Sequence, residues 1–223
     1  MAIELEVVAD DKAAARRAAE LIAAAGAETM AEGPGPFSLA MSGGRTPWAM
    51  LAILGELEEM PWESTELFQV DERIAAPGSE VRNLTHMVLG LSMDHQAALR
   101  PMPVTQRDLE AAAAEYERTL PEPLDCVHLG LGDDGHTASL VPDDPVLDVG
   151  DRRVAVTETA YQGHRRMTLT YPALAEARRI VWLVTGPEKR DALARLLTAD
   201  PLIPAGRVES SKMVVVADEA AAP

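Results

Sequence analysis

The sequence predicts an α/β fold, a Rossmann-like, mainly parallel sheet with helices on both faces. Three observations lead there. Segments of strand character alternate with segments of helical periodicity along nearly the whole chain. Several strands are apolar on both faces, as in a sheet covered from two sides. Four polar motifs stand directly after strands, at 42–47, 71–73, 132–136 and 186–189, where open α/β sheets bind ligands. The 223 residues fit a single domain spanning 1–223.

The elements follow in order. Residues 12–32 carry Ala, Arg, Leu and Ile at helical spacing, with Asp10 or Asp11 as N-cap. Gly33-Pro34-Gly35-Pro36 breaks that helix, and residues 37–41 form a short strand. Thr46 as N-cap with Pro47 at the first helical position starts a helix over about 48–57. Residues 67–70 are a second strand ending in Asp71-Glu72-Arg73, and a loop with Pro77 and Gly78 leads to a helix over about 82–91. A further helix covers 106–119, and residues 124–129 form a nearly all-apolar central strand. Strand candidates at 154–157 and 167–170 precede a short helix at 172–177 and a buried strand at 180–184. Gly186-Pro187-Glu188-Lys189 opens a helix through Leu197, and a strand over 212–217 closes the chain.

Composition narrows the function. The formal net charge is −16 and the isoelectric point about 4.6. A nucleic-acid backbone or an anionic membrane surface would be repelled. Eight aromatic residues leave little surface for base stacking. An acidic chain binds a small anion only through a local cluster of donors, so its 17 Arg and three Lys (Lys12, Lys189, Lys212) carry information. The one cysteine, Cys126, lies in an apolar run and reads as a buried thiol. There is no apolar run of membrane-spanning length and no signal-peptide pattern, so the expected compartment is the cytosol.

The motifs suggest a site for a phosphorylated ligand. In SGGRTP (42–47), after Ser42, Gly43 and Gly44 let the backbone approach a ligand, and the following helix start presents free N–H groups. Arg45 or the Thr46 hydroxyl adds donors. Lys189 in a first helical turn opposes the helix dipole, and an anion at that helix start would account for it. Arg166 can point into the cleft from a strand end, or be solvated. Strand neighbours face opposite sides, so Asp71, Glu72 and Arg73 cannot all serve one ligand if the strand continues. The loop Gly130-Leu131-Gly132-Asp133-Asp134-Gly135-His136 matches G-x-G-x-x-G. Its two carboxylates would face a pyrophosphate, which argues against a dinucleotide. A histidine in a Gly-rich loop beside carboxylates suits a general base, with one Asp orienting the imidazole. Among the other histidines, His128 reads as a satisfied core residue and His86 and His95 lie on or near a helix. His164 alone has a chance of reaching the cleft. No pair has metal-ligand spacing, so no metal is expected.

LAMSGGRTP (39–47), FQVDER (68–73) with Asn83, LGLGDDGHTASLVP (129–142), RMTLT (166–170) and GPEKRDAL (186–193) together resemble the 6-phosphogluconolactonase family of the pentose phosphate pathway. The resemblance runs through nearly the whole chain in order, and the GxGxDGHTASLxP stretch is its most specific part. The wider superfamily includes glucosamine-6-phosphate deaminases and isomerases. Those enzymes read GHIAFNEP, with a glutamate five residues after the histidine, where this chain has Val141. A lactone needs a base for water and no carboxylate for ring opening, so Val141 favours the lactonase. Arg45 stands where SGGSTP has a small residue, and Arg82 replaces a usual serine, which leaves the contacts of Arg45 and Asn83 open.

The resemblance implies a glucosamine-6-phosphate deaminase-like fold and hydrolysis of 6-phospho-D-glucono-1,5-lactone to 6-phosphogluconate without a cofactor. His136 would be the base, Asp134 or Asp133 would orient it, and Asp71 would belong to the catalytic group. Substrate contacts would come from Ser42, Gly43, Gly44, Arg45, Thr46, Glu72, Arg73, Asn83, Gly132, Asp133, Gly135, Arg166 and Lys189. The expected partner is a small phosphorylated sugar lactone, and the expected state a monomer or small homo-oligomer. Two other readings stand beside it: an isomerase or deaminase on an amino sugar phosphate, and a sugar-phosphate sensor domain. Such sensors carry a DNA-binding segment, whereas residues 1–36 hold one helix and no helix-turn-helix.

Overall fold

The computed structural model describes residues 3–91 and 97–223; His95 lies outside them. In chain order the elements are β1 (Glu4–Val8), α1 (Asp11–Glu32), β2 (Phe37–Met41), α2 (Arg45–Glu56), β3 (Thr65–Gln69), β4 (Asp71–Arg73), α3 (Asn83–Gly90) and β5 (Ala98–Arg100). There follow α4 (Leu109–Glu117), β6 (Cys126–Gly130), β7 (Val154–Val156), β8 (Arg166–Leu169), α5 (Tyr171–Glu176), β9 (Ile180–Val184), α6 (Arg190–Leu197) and β10 (Met213–Asp218). Seven strands form one parallel sheet in the order β1-β10-β9-β6-β2-β3-β5. A second, antiparallel sheet has the order β4-β8-β7. The expected mainly parallel α/β architecture is therefore present, with this small sheet added.

Strand parity divides the core into two layers. In β9, Ile180, Trp182 and Val184 pack with Ala112 and Tyr116 of α4 and Leu193 of α6. Val181 and Leu183, on the opposite face, pack with Ile22 of α1 and Leu51 of α2. The central strands are buried on both sides, which is why their sequences read as apolar runs. No helix of the described residues is long and apolar enough to cross a membrane.

Several local expectations shift. β1 and β5 fall outside the predicted strands. They are the sheet edges, and β1 is half polar while β5 has only three residues, so neither leaves an apolar pattern. Helix α2 starts at Arg45 with Gly44 as its cap, and no side chain caps it. The Thr46 hydroxyl instead meets that of Thr185 at 3.0 Å, joining the loops after β2 and β9. Asp108 caps α4 by accepting from Ala111 N at 3.0 Å, so that helix is shorter than its periodicity suggests. Asp10, as expected, caps α1 through Ala13 N.

His128 also departs from expectation. It is fully buried in β6, as the apolar run predicts, but neither ring nitrogen has a hydrogen-bond partner among the described residues. The strand lies inside the sheet between β2 and β9, and alternation puts the ring on the same face as Cys126, among apolar side chains. Burial pushes its pKa down to about 3.

The topology creates a crevice. From β2 the chain moves outward to β3 and β5, then returns to place β6 on the other side of β2 and continues to β9 and β10. The switch point thus lies between β2 and β6, and the loops after their carboxyl ends diverge there. Val70 hands the chain from one sheet to the other. Its N–H donates to Met41 O at 3.0 Å, and its carbonyl accepts from Leu169 N at 2.8 Å. That transfer carries Asp71 and Arg73 over the crevice.

Candidate active site

A cleft of about 310 Å³ opens at this switch point. It is lined by Ser42–Thr46 from the loop after β2, by Asp71 and Arg73 of β4, and by Asn83 at the start of α3. Gly132 and His136 after β6, Arg166 of β8, and Glu188 and Lys189 after β9 complete it. All four strand-end motifs therefore contribute to one cavity.

The loop after β6 is shaped to hold its histidine. Gly135, at φ +83°, makes the turn; its N–H donates to Gly132 O at 3.1 Å, and Gly132 N donates to His136 O at 2.8 Å. Asp134 Oδ1 accepts from His136 N at 3.0 Å and lies 2.6 Å from Nδ1 of the ring. These bonds, the side-chain contact first, hold the Asp134 carboxyl well below the usual carboxylate range. An ionised partner makes Nδ1 the protonated nitrogen, an assignment that follows from the network. Nε2 is then the basic lone pair left for the cleft. Of the two loop carboxylates it is Asp134 that orients His136. Asp133 extends outward, its side chain 69% exposed, with Oδ1 4.0 Å from Lys189 Nζ.

The DER motif obeys strand alternation. Asp71 and Arg73 line the cleft, whereas Glu72 is fully buried behind it. Glu72 accepts from Asn83 N at 2.8 Å, Leu84 N at 2.9 Å and Gln69 Nε2 at 2.9 Å, with Arg82 Nε at 3.3 Å. It anchors the first turn of α3 and cannot reach a ligand, contrary to the substrate contact expected of it. Arg82, at the usual serine position, is its buried counter-ion. Asp71 accepts from Asn83 Nδ2 at 3.0 Å and Ser139 Oγ at 2.6 Å, with Arg166 Nη1 at 3.7 Å. Its oxygens are committed to positioning these neighbours.

The glycines separate by role. A Cβ on Gly43 would sit 2.0 Å from Asn83 Oδ1, and one on Gly132 would sit 2.0 Å from His136 Nδ1, so both admit the close approach of a site side chain. Gly135 meets Ile203 instead and stays outside the cleft lining, as do Asp133 and Asp134.

Positive charge is concentrated here despite the net charge of −16. Arg45 is exposed at the start of α2. Arg73 donates to Val81 O at 3.0 Å and Asn83 Oδ1 at 3.1 Å. Arg166 is 3% exposed, burial lowers its pKa, and its Nε has no hydrogen-bond partner among the described residues. Its Nη1 lies 3.7 Å from Asp71 Oδ2 and its Nη2 donates to Tyr161 O at 3.2 Å, which sets the guanidinium against the cleft wall.

Sequence reasoning missed Tyr161, whose hydroxyl donates to Asp134 Oδ2 at 2.9 Å. It also missed Gln162, Thr185 and Glu188 in the cleft wall, and Ser139 behind Asp71. His164, the expected outlier, only pairs its backbone with Tyr161 and does not line the cleft. Ser139 lay in plain view within HTASL; for Tyr161 the only signal was its position ahead of the RMTLT strand.

The sequence matches the glucosamine-6-phosphate isomerases/6-phosphogluconolactonase family over residues 9–217. The chain belongs to this family. Among proteins of this glucosamine-6-phosphate isomerase/6-phosphogluconolactonase family, it is 37% identical over 182 residues to a 6-phosphogluconolactonase of Synechocystis sp., covering 75% of each chain. It is 31% identical to one of Nostoc sp., covering 89% of this chain and 87% of the relative. The structure superposes on a 6-phosphogluconolactonase of Thermotoga maritima with a TM-score of 0.85 and 26% identity, covering 97% of this chain and 100% of the other. A monomeric glucosamine-6-phosphate deaminase shares the fold at a TM-score of 0.82, with 19% identity over 98% of each chain. In this family member Val141 is 2% exposed and outside the cleft lining, so the position supplies no acid there.

Proposed function

We propose that the protein hydrolyses 6-phospho-D-glucono-1,5-lactone to 6-phospho-D-gluconate, the second step of the oxidative pentose phosphate pathway. The observation that carries this is the His136–Asp134 pair, with Nδ1 committed to the carboxylate and Nε2 left to a cleft rich in cations. The cyanobacterial relatives described above are named for that activity.

Nε2 of His136 takes a proton from water as its oxygen bonds to C1 of the lactone. Asp134 stabilises the resulting imidazolium. The tetrahedral intermediate collapses with cleavage of the bond from C1 to the ring oxygen, and the imidazolium returns its proton to that oxygen. Backbone N–H groups of the loops stabilise the oxyanion. Arg73, Arg166, Lys189 and Arg45 take the phosphate and hydroxyls, aided by the open backbone at Gly43 and Gly44 and by Ser42, Thr46 and Asn83. Asp71 acts through Asn83 and Arg166. The bond changes are hydrolytic and balance with water alone, so no cofactor enters the reaction. A cytoplasmic monomer or small homo-oligomer fits this reading, and the acidic surface speaks against a nucleic-acid partner.

The test is turnover of freshly prepared lactone, with spontaneous hydrolysis subtracted. General-base help is worth roughly 10²–10⁴ in rate, and His136→Asn is expected to lose that much kcat. Turnover near that of the unsubstituted protein would overturn the assignment, and ammonia release from glucosamine 6-phosphate would favour the deaminase chemistry of the same superfamily.

A further inference from the structure

The hairpin between β7 and β8 brings Tyr161 to the His136–Asp134 pair from outside the cleft. Its tip is a two-residue turn: Tyr161 N donates to His164 O at 3.0 Å and His164 N to Tyr161 O at 3.3 Å. The central residues Gln162 and Gly163 have φ of 50° and 84°, the left-handed pair that matches the twist of antiparallel strands. The approach to the tip is clamped by Asp144, which is 2% exposed. Its carboxylate accepts from Thr159 N at 2.8 Å, Thr159 Oγ1 at 2.6 Å and Val146 N at 2.9 Å. Asp144 follows His136 by eight residues in the same segment, so the chain that carries the base also fixes the hairpin.

From this tip the phenol hydroxyl donates to Asp134 Oδ2 at 2.9 Å, and its oxygen lies 3.3 Å from His136 Nδ1. The two rings are 5.0 Å apart at 60°. On the other side, the Arg166 guanidinium lies 5.3 Å from the Tyr161 ring centroid. Tyr161 is absent from the cleft lining, while His136, Gln162 and Arg166 belong to it.

We infer that Tyr161 is a positioning residue for the hydrolysis, a strut that fixes the Asp134 carboxylate and thereby the orientation and basicity of His136. The inference rests on the lactonase reading of the site. The Asp134 side chain is 34% exposed, so without the phenol Oδ2 would be held by water and the carboxylate free to rotate away from Nδ1. With the phenol in place both oxygens are bound and the plane is set. The phenol also takes a share of the carboxylate's charge, which leaves less of it to stabilise the imidazolium. Burial and the Asp134 contact push the Tyr161 hydroxyl up to about 12, so it remains the donor throughout the working range. The other charged groups facing the pair are Asp133 on the same loop, Arg166 of β8 and Lys189 at the mouth. None of them is altered by removing the hydroxyl.

The test is Tyr161→Phe, which keeps the ring packing. Loss of one charge-assisted hydrogen bond predicts a kcat lower by roughly 5- to 20-fold with KM within about twofold. The acid limb of the kcat/KM profile should move toward higher pH, because the Asp134 carboxylate keeps more of its charge for the imidazolium. The ¹⁵N titration midpoint of the His136 ring, followed by NMR, should move the same way. A merely structural tyrosine would lower the melting temperature and leave both titrations in place. Unchanged kcat and unchanged midpoint overturn the inference, as does a rise in KM alone, which would make Tyr161 a direct substrate contact. The NMR titration needs no turnover. If the unsubstituted protein fails to hydrolyse the lactone, the functional reading falls, while the midpoint still reports whether Tyr161 controls the pair.

Discussion

Gly132→Ala puts the proposed base and its partner Asp134 under direct test without deleting any polar group. Gly132 has no left-handed backbone to strain, so alanine fits its φ and ψ. The difficulty is space. The new methyl would lie 2.0 Å from His136 Nδ1, 2.3 Å from Cε1 and 2.6 Å from Asp134 Oδ1. Ordinary contact needs about 3.5 Å, so the imidazole must retreat by roughly 1.5 Å. The Nδ1···Oδ1 bond, now 2.6 Å, would then be stretched past hydrogen-bonding range. A misplacement of about 1 Å costs up to roughly 10² in rate, and loss of the oriented tautomer up to roughly 10⁴. The expected result is a kcat lower by about 10²–10⁴. KM should change little, because the methyl's nearest neighbours are His136 and Asp134 rather than the cations of the lining. Stability should change little as well, since both displaced side chains are partly exposed and can move into solvent. Initial rates on fresh lactone, paired with a urea or thermal melt, separate these quantities. A folded Gly132→Ala protein that keeps kcat within about threefold would refute the argument that the pair must be held as it is.

Two further perturbations probe other parts of the structure. Lys189→Met keeps the length of a side chain that is 22% exposed and removes its charge; KM is expected to rise about tenfold, less at high salt, and an unchanged KM would remove Lys189 from the substrate contacts. His128 has its pKa depressed to about 3 by burial, so between there and about 6.5 the unfolded chain binds the extra proton and stability falls as pH falls, by up to roughly 1.4 kcal/mol per unit. His128→Leu should flatten that acid slope in urea melts from pH 7 to 4, and a slope that survives the substitution would show the loss to come from other groups.

The strand-to-motif order was legible because parallel strands buried on two faces leave long apolar runs, and the residues just after them must sit at one edge of the sheet. The alternation argument over Asp71, Glu72 and Arg73 also came through from sequence, since a strand leaves its side chains only two directions. Which direction faced the cleft was not legible. It depends on Val70 moving the chain into the antiparallel sheet, a tertiary event with no local pattern. Glu72 shows the consequence: an acid in the Asp71-Glu72-Arg73 triplet anchors the first turn of α3. Tyr161 escaped for a related reason. It lies 25 residues from His136, and only the clamp at Asp144 and the hairpin turn bring the two together. The edge strands β1 and β5 were too short or too polar to register.

The cleft is lined by charges of both signs, and the proposed reaction creates a new charge among them. Arg45, Arg73, Arg166 and Lys189 outnumber Asp71 and Glu188 in the lining, whereas Asp134 and the outward Asp133 stand by His136 outside it. The lactone is neutral at C1 and anionic only at its phosphate, so the cations attract the phosphate and the Asp134 carboxylate does not repel C1. Hydrolysis changes this. Opening the ring leaves a carboxylic acid at C1, which loses its remaining proton to solvent and becomes a carboxylate within the field of the Asp134 carboxylate that had just stabilised the imidazolium. Once His136 has returned its proton, the imidazolium no longer offsets that field, and the Asp134 carboxylate repels the carboxylate of the product. Unit charges several ångströms apart near a protein surface interact by a few kcal/mol at most, enough to shift release by one or two orders of magnitude. A single base held by an ionised acid therefore serves both halves of the cycle: it stabilises the positive charge of the transition state and disfavours the negative charge of the product. An isomerase gains nothing from such an arrangement, because its product carries no new charge, and it would need a second proton carrier where this chain has the buried Val141.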